Sequence, residues 1–569
     1  MSNNDVQVSS IHDVLEQYRK VAFDQYDKGS HFERLMQAFL QTEPQYAELY
    51  DEVWRWSEYP ERGMRTDTGV DLVARSRGTG ELTAIQCKFF APTTTVTKPM
   101  LDSFLSASGK TTVDFVPEFS ARLVISTSDT WGKNAEDAIA GQSIPVERLR
   151  VQDLDESSID WSQFVWSEPA KLEKKRLKTP FDYQTVAIDD VVAGFADHDR
   201  GKLIMACGTG KTFTSLRLAE KVVPLGGTVL FLVPSIALLS QTLKEWTIQA
   251  EESVRSFAVC SDVSVGKRRT EEDIPVTDLA FPSTTNASAL VKQYDSGDAA
   301  DKITVIFSTY QSLPVIAKAQ GMGLPEFDLI VSDEAHRTTG AAMSDDDESA
   351  FMKVHDQSFV HGKKRLYMTA TPRIFSDGTR KKAGEIGAKL ADMDDETVYG
   401  PEFHRLGFGQ AVSMGRPTDY KVLVPAVDEG FVAREFQSLM SQDGYELAME
   451  DTAKIVGTWN GLSKRSVIPG EYEDDPLPMQ RAVMFAKDIA TSRKLADAFQ
   501  QVVEGEIDRI EGSGEDTARL LHAEARHVAG TQSMLVRNEK LDWLKEPSPE
   551  STVRILSNAK CLSEGVDVP

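Results

Sequence analysis

Two segments of this chain have residue types and spacing suited to phosphate chemistry. The first, Leu203 to Thr212, reads LIMACGTGKT, an apolar run followed by a glycine-rich turn, a lysine and a threonine. That order predicts a strand entering a tight loop that opens a helix. Gly208 and Gly210 have no Cβ, so the backbone around Thr209 can curl about phosphate oxygens and aim its N–H groups at them. Lys211 offers a point charge to the β- and γ-phosphates, and the Thr212 hydroxyl a ligand to Mg²⁺. The second segment, Phe327 to Gly340, reads FDLIVSDEAHRTTG. Leu329 to Val331 predicts a short buried parallel strand that delivers Asp333 and Glu334 to its carboxyl end, where ligands of open α/β sheets gather. Asp333 is assigned to Mg²⁺ and Glu334 to the attacking water, so the two segments together imply ATP hydrolysis. An acidic turn after a strand is otherwise a common helix cap. Lys211 upstream and RLYMTATPR (Arg365–Arg373) downstream favour the nucleotide reading, and His336, Thr369 and Thr371 join the groups that face it.

A third group lies near the amino terminus. Thr68 to Ala74 reads TGVDLVA and Leu82 to Phe90 reads LTAIQCKFF. Ile85, Cys87 and Phe89 alternate with Gln86 and Lys88, which predicts a strand that buries one face and presents a polar pair on the other. Asp71, Gln86 and Lys88 can then converge. A carboxylate and an amide oxygen hold Mg²⁺, while an ammonium steadies charge on a phosphate under attack. The alternative is the exposed polar face of an edge strand. Glu33, in HFERLMQAFL, is a further candidate acid; its alternative role is a capping box with Ser30 ahead of the apolar face Leu35, Met36, Phe39 and Leu40.

These motifs carry a family resemblance. A glycine usually stands where this chain has Met205, but the G-x-G-K-T at Gly208 to Thr212 resembles the loop of superfamily 2 helicases. FDYQ (Phe181–Gln184) precedes it, and Gln184 resembles the residue that reads the adenine edge. LFLVPSIALL (Leu230–Leu239) and VIFSTYQSL (Val305–Leu313) resemble segments that grip a nucleic-acid backbone. RAVMFAKDIATSRKLADAF (Arg481–Phe499) resembles the opening of a second RecA-like domain, and His527–Thr531 and Ile555–Pro569 its later DNA-gripping and coupling segments. The D-(x)n-Q-x-K arrangement of Asp71, Gln86 and Lys88 resembles the Mrr-like branch of the PD-(D/E)XK nucleases, where Glu33 matches the acid on the first helix. With DEAHRTTG, YMTATPR, MDDETVYGPEFHRL (Met393–Leu406) and LVISTSDTWGKNAED (Leu123–Asp137), nearly the whole chain resembles the amino-terminal half of Type ISP restriction-modification enzymes.

The resemblance implies an α/β fold with an Mrr-like restriction-endonuclease domain over 1–165 and a basic linker over 166–180. Two RecA-like doubly wound parallel-sheet domains are expected to follow, over 181–415 and 416–569, with ATP held between them and coupling through Thr309–Gln311 and Thr369–Thr371. It implies an ATP-driven duplex-DNA translocase tethered to an Mg²⁺-dependent endonuclease, with ATP and Mg²⁺ as cofactors and double-stranded DNA as partner. The second RecA-like domain is expected to be incomplete, because the Q-x-x-G-R-x-x-R segment lies outside the sequence, and a truncated product or fragment is expected. Methyltransferase and target-recognition domains are expected in cis or in trans, with S-adenosylmethionine a cofactor only if the former follows. Other readings are a DNA-stimulated ATPase whose amino-terminal domain only binds DNA or a partner, a stand-alone antiviral nuclease-helicase, and a Type I-like motor subunit.

Composition bounds these readings. The 569 residues have room for three or four domains, and a formal net charge of −25 argues against binding nucleic acid by bulk charge. Cations must act locally, with Lys171–Lys178, Lys267–Arg269, Lys363–Arg365 and Arg380–Lys382 as candidate patches. The acidic runs Asp345–Glu348 and Glu471–Asp475 read as exposed loops. Cys87, Cys207, Cys260 and Cys561 lie far apart with no C-x-x-C, which suggests neither a zinc site nor a disulfide framework and points to a reducing compartment. The amino terminus lacks the regions of a signal peptide, and Pro234 breaks the apolar stretch near Leu230 well short of a membrane span, so a cytoplasmic protein without a membrane partner is expected.

Overall fold

The structure is a computed structural model. It describes residues 10–21, 25–62, 69–111, 118–166, 168–260, 276–297, 300–342, 351–385, 389–415, 449–465, 472–473, 476–517, 519–529, 532 and 534–559. Lys267–Arg269, Asp345–Glu348 and Thr531 lie outside these, as do most of Glu471–Asp475 and the end of Ile555–Pro569. The described residues form two compact units, one before the boundary at 418/419 and one after it.

The first unit begins with α1 (Ile11–Val21), α2 (Gln25–Thr42) and α3 (Pro44–Leu49), then β1 (Tyr50–Arg55), β2 (Leu72–Ser76) and β3 (Leu82–Lys88). There follow α4 (Lys98–Ser108), β4 (Ala121–Ser126), α5 (Lys133–Ile139), β5 (Val146–Leu149) and α6 (Val151–Asp155). The five strands form one sheet in the order β1-β2-β3-β4-β5, antiparallel as far as β3 and parallel beyond it. Helices cover both faces. Phe32, Leu35 and Phe39 of α2 pack with Leu72 and Ile85 on one side, while Leu101 and Phe104 of α4 pack with Val73, Ala84 and Val124 on the other.

Two expectations change here. β3 was read as a half-buried strand, or alternatively an edge strand; it is the central strand of five, so Gln86 is buried beneath α4 while Ile85 packs towards α2. Ser30 does not cap a helix. α2 already starts at Gln25, which puts Ser30 and Glu33 within it. The low helix propensity of Gly29 and Ser30 is outweighed by burial of Phe32, Leu35, Met36 and Phe39 on one face.

The unit continues with α7 (Asp182–Asp197), β6 (Arg200–Met205), α8 (Lys211–Val222), β7 (Thr228–Val233), α9 (Ile236–Gln249) and β8 (Arg255–Val259). Next come β9 (Ser283–Thr284), α10 (Ala287–Asp295), β10 (Thr304–Thr309), α11 (Leu313–Gln320), β11 (Leu329–Ser332) and β12 (Gly340–Ala342). It closes with β13 (Arg365–Thr369), α12 (Asp377–Glu385), β14 (Lys389–Ala391), α13 (Glu396–Tyr399), β15 (Glu402–Leu406) and α14 (Phe408–Ser413). Eight strands form a parallel sheet in the order β15-β6-β13-β11-β7-β10-β8-β9, as the buried apolar runs predict. The second unit holds α15 (Met449–Leu462), β16 (Arg481–Phe485), α16 (Ile489–Ser513), β17 (His522–Val528), α17 (Met534–Lys545) and β18 (Thr552–Asn558), with the parallel order β16-β18-β17.

The basic patches fare differently. Lys171–Lys178 is exposed apart from Leu172, which packs against the core of the first sheet. Arg365 instead begins β13 fully buried, its guanidinium donating to the carbonyls of Val354, Val360 and Gly362, while Lys363 pairs with Asp328 at 2.7 Å. Arg380 pairs with Asp392 at 2.7 Å and Asp394 at 3.0 Å. These arginines serve the fold's own acceptors, which a run of like charge in the sequence cannot reveal. Among the described residues no helix is long and apolar enough to cross a membrane, and Cys87, Cys207 and Cys260 form no disulfide.

Glu147 of β5 is buried inside the first sheet, which pushes its carboxyl from the ordinary value near 4.5 up to about 8. Between those values the folded chain keeps a proton that the unfolded chain releases, so stability falls as pH rises through the window and levels off above about pH 8. Glu147→Gln is expected to remove that fall from the first unit. Chemical denaturation at pH 5 and pH 8, with and without the substitution, measures it; an equal pH dependence in both proteins rejects the assignment.

Candidate active site

Both segments picked out for phosphate chemistry meet at the carboxyl edge of the eight-stranded sheet. β6 runs out at Met205, the loop spans 206–210, and α8 starts at Lys211. Gly208 and Gly210 adopt φ of +75° and +77°, left-handed values that favour glycine. A Cβ on Gly208 would meet nothing within 4 Å, so the cradle is open there, whereas one on Gly210 would lie 2.6 Å from Gln184 Nε2. The loop is braced from within the protein. Thr209 Oγ1 donates to the Ala206 carbonyl at 2.6 Å, and the Thr209 carbonyl accepts from Gln184 Nε2 at 3.0 Å and the Tyr183 hydroxyl at 3.2 Å. Gln184 Oε1 in turn accepts from Phe181 N at 2.9 Å, so both ends of its amide are engaged with the chain. Lys211 Nζ lies 3.4 Å from the Met205 carbonyl, and the Thr212 carbonyl accepts from Trp246 Nε1 of α9 at 3.2 Å.

Across the cradle, β11 delivers the acidic pair. Asp333 is fixed through its main chain: its N–H donates to Leu232 of β7 at 2.9 Å, and its carbonyl accepts from the Tyr310 hydroxyl at 2.7 Å. Asp333 Oδ1 accepts from Glu334 N at 3.0 Å. Glu334 itself takes φ +47°, a conformation rare outside glycine, and costs on the order of 1 kcal/mol for its strain. Burial alone would raise its carboxyl, but the His336 contact and the nearby charges of Lys211 and Arg337 together hold it below the usual carboxylate range. His336 Nδ1 lies 3.4 Å from Glu334 Oε2 and 3.0 Å from Thr369 Oγ1, which also accepts from Thr371 N at 3.1 Å. Lys211, Glu334, His336 and Thr369 are thus brought together. The open turn at Gly208, the Thr212 hydroxyl at the start of α8 and the Asp333 carboxylate fit a triphosphate with its cation.

The third group also assembles. Asp71 lies just before β2, its N–H donating to Ile85 of β3 at 2.9 Å and its Oδ2 accepting from Cys87 N at 2.7 Å. Gln86 Nε2 donates to the Gly69 carbonyl at 3.0 Å, and Gln86 Oε1 is buried with no hydrogen-bond partner. A buried oxygen without a donor is expensive, of order 1–3 kcal/mol, and offers itself to a cation. Burial pushes the Cys87 thiol well above its usual range; the carboxylates of Asp71 and Glu33 add to that rise and Lys88 opposes it. Both acids and the ammonium therefore act on one sulfur. Among the described residues no three His, Cys, Asp or Glu side chains form a metal-holding group, so any cation here relies on the amide oxygen of Gln86 beside carboxylates. Tyr183, Trp246 and Tyr310 were not singled out in the sequence reading. Tyr183 and Tyr310 lie inside the quoted motifs FDYQ and VIFSTYQSL, whereas nothing local marks Trp246.

Residues 41–171 match a family described as restriction endonuclease, and residues 177–374 one described as Type III restriction enzyme, res subunit. The ATP-dependent Type ISP restriction-modification enzyme LlaBIII bound to DNA is similar over 98% of this chain, with a TM-score of 0.79 and 39% identity; the chain covers 35% of it. A nuclease-deletion mutant of the Type ISP enzyme LlaGI, in complex with a DNA substrate mimic, is 35% identical over 66% of this chain and 24% of its own, with a TM-score of 0.45. The probable helicase A859L of African swine fever virus (isolate Pig/Kenya/KEN-50/1950) is 31% identical over 372 residues, 65% of this chain and 34% of the viral protein. The chain thus spans about a third of the length of LlaBIII and of the viral helicase it matches. The resemblance read from the sequence holds over nearly the whole chain.

Lys211→Ala removes the one ammonium that opens α8 at the cradle. A hydrogen bond to a charged group contributes roughly 1.5–3 kcal/mol, so affinity for a fluorescent ATP analogue with Mg²⁺ is expected to fall by about tenfold or more, with an unchanged circular dichroism spectrum. Equal affinities remove Lys211 from the site.

Proposed function

We propose that this chain, which joins a restriction-endonuclease domain to a Type III res-subunit motor domain in the Type ISP fold, is an ATP-driven duplex-DNA translocase coupled to a metal-dependent endonuclease that restricts foreign DNA. The observation that carries the reading is the presence, in one chain similar to LlaBIII over 98% of its length, of a braced phosphate cradle and a second polar site around Asp71 and Gln86. A reducing cytoplasm suits Cys87, Cys207 and Cys260, which form no disulfide among the described residues.

Bound ATP with Mg²⁺ supplies a transferable phosphoryl group. Lys211 and the N–H groups of the 206–210 loop hold the phosphates, and Thr212 and Asp333 hold the cation. Glu334, kept ionised by His336 and Lys211, accepts a hydrogen bond from the attacking water. Its lowered proton affinity suits it to orienting that water more than to carrying its proton away. His336 ties this acid to Thr369 of β13, so a shift at Glu334 reaches the segment that follows β13. Gln184, already on the loop carbonyl of Thr209, connects the adenine side to the phosphate side.

At the second site Asp71 and Gln86 Oε1 hold the divalent cation, Lys88 steadies the scissile phosphate, and Glu33 is the further acid. A specific observation favours a second reading, in which this domain only binds DNA or a partner: Asp71 already accepts from Cys87 N, and the described residues contain no three-ligand group of His, Cys, Asp or Glu.

Nicking of supercoiled DNA by the full chain decides between them. Activity with Mg²⁺ or Mn²⁺ is expected in the native sequence and background levels in Asp71→Asn and Lys88→Ala, with melting temperatures retained. Undiminished nicking in both variants places the chemistry elsewhere, and absence of nicking in the native chain supports the binding-only reading.

A further inference from the structure

The nuclease core takes in one residue from the nucleotide-binding lobe. The segment between β8 and β9 sends Ala280 into the nuclease core formed by residues such as Phe39, Tyr46, Leu149 and Val151. Ala280 takes φ +53°, a conformation that alanine rarely adopts and that persists only where its surroundings enforce it. Its carbonyl accepts from the Tyr46 hydroxyl of α3, and two residues earlier the buried Asp278 accepts from Arg148 Nε of β5 at 2.8 Å.

A second contact lies on α9. Lys244 Nζ donates to Asp153 of α6 at 3.1 Å and to Glu156 at 2.9 Å, while Arg150 reaches the other oxygen of Asp153 at 3.2 Å. Burial alone would raise the Asp153 carboxyl, but the two cations overcome it and hold it down to about 2. Two residues beyond Lys244, Trp246 Nε1 donates to the Thr212 carbonyl in the first turn of α8. One turn of α9 therefore touches the nuclease domain through Lys244 and the phosphate-binding helix through Trp246.

We propose that Lys244 is a positioning residue for the nuclease: with the Ala280 plug, it mounts the nuclease domain rigidly on the nucleotide-binding lobe, so that nucleotide binding and nuclease orientation belong to one cooperative unit. The proposal deepens the function above and rests on its nucleotide reading of the Lys211 loop. Mechanically, the Asp71 site is then carried at a fixed displacement from the lobe that holds ATP, and the place of cutting follows the place where that lobe halts. Removing Lys244 leaves Asp153 and Glu156 without the cation from α9 and opens the joint without touching either candidate site.

Hydrogen exchange on the full chain tests it, because amides that exchange through one cooperative opening share its free energy and a ligand bound to that unit slows them all. In the native sequence the slowest amides of β3 and β6 are expected to open with the same free energy. A non-hydrolysable ATP analogue with Mg²⁺ at about 100 times its Kd should slow both about 100-fold. In Lys244→Met the analogue should still slow β6 while β3 exchanges as in the ligand-free protein, and Lys244→Arg should restore the joint response. Glu156→Gln, at a more exposed member of the cluster, gives a milder uncoupling should Lys244→Met fail to fold. Slowing confined to β6 in the native protein overturns the proposal, as does a joint response that survives in Lys244→Met. If the analogue slows neither strand, the nucleotide reading falls instead, and equal or unequal opening free energies of β3 and β6 without ligand still decide the mounting.

Discussion

Strand order in the eight-stranded sheet is the constraint on which the nucleotide site depends. Because β13 lies between β6 and β11, the loops that follow these strands emerge side by side at one edge. Lys211 comes after β6, Glu334 after β11 and Thr371 after β13, so residues up to 160 positions apart in sequence become neighbours. The parallel ladder also explains the strength of the support. Asp333 cannot drift, since its N–H is the next rung of the pairing between β11 and β7. The left-handed backbone at Glu334 then turns the carboxylate back towards Lys211 in place of letting the chain run on as strand. A strained residue at the end of a well-paired strand keeps its shape because the ladder behind it does not yield.

The bracing of the cradle follows the same economy. The Thr209 carbonyl has two donors, Gln184 and Tyr183, and the side chain of Thr209 closes on Ala206. Contacts within the protein thus shape the loop, and bracing of that kind lowers the ordering that a bound phosphate must impose. The fit is close enough that a methyl group on Gly210 would strike the Gln184 amide, whereas one on Gly208 would point into open space. Two glycines with nearly equal dihedral angles thus have different reasons to be glycine: close approach of a protein side chain at one, access for a ligand at the other.

Much of this was legible in the sequence because it rests on local order. LIMACGTGKT and FDLIVSDEAHRTTG each spell strand, turn and functional residue within a few positions, and the structure places β6, β11 and the turns where those patterns put them. Long-range partners left no such trace. Arg365 sits in a basic run yet is fully buried among three carbonyls, and the alternation of β3 could not say that a second helix layer would cover the Gln86 face. The polar pair of a half-exposed strand and that of a central strand look alike until the neighbours on both sides are known. Ala280 is less legible still, since an alanine between two short elements carries no hint that it plugs another domain's core.

The glutamine at position 86 has a consequence that a carboxylate would not. Asp71 and Glu33 already act on the Cys87 sulfur as negative charges, with Lys88 as the opposing cation. A third carboxylate at a fully buried position would add a desolvated charge with no counter-ion of its own, and its pKa would rise until it held a proton. The amide supplies an oxygen without that charge, and its buried Oε1 waits without a donor at the expense of about one lost hydrogen bond. On the proposed reading Asp71 and Gln86 Oε1 would hold a divalent cation with less negative charge than a carboxylate at position 86 would bring, and the cation would supply Lewis-acid chemistry from a weaker site. A weak site of that kind would suit a nuclease joined to a motor, because the negative charge of a delivered strand would favour the cation that Asp71 and Gln86 hold only modestly.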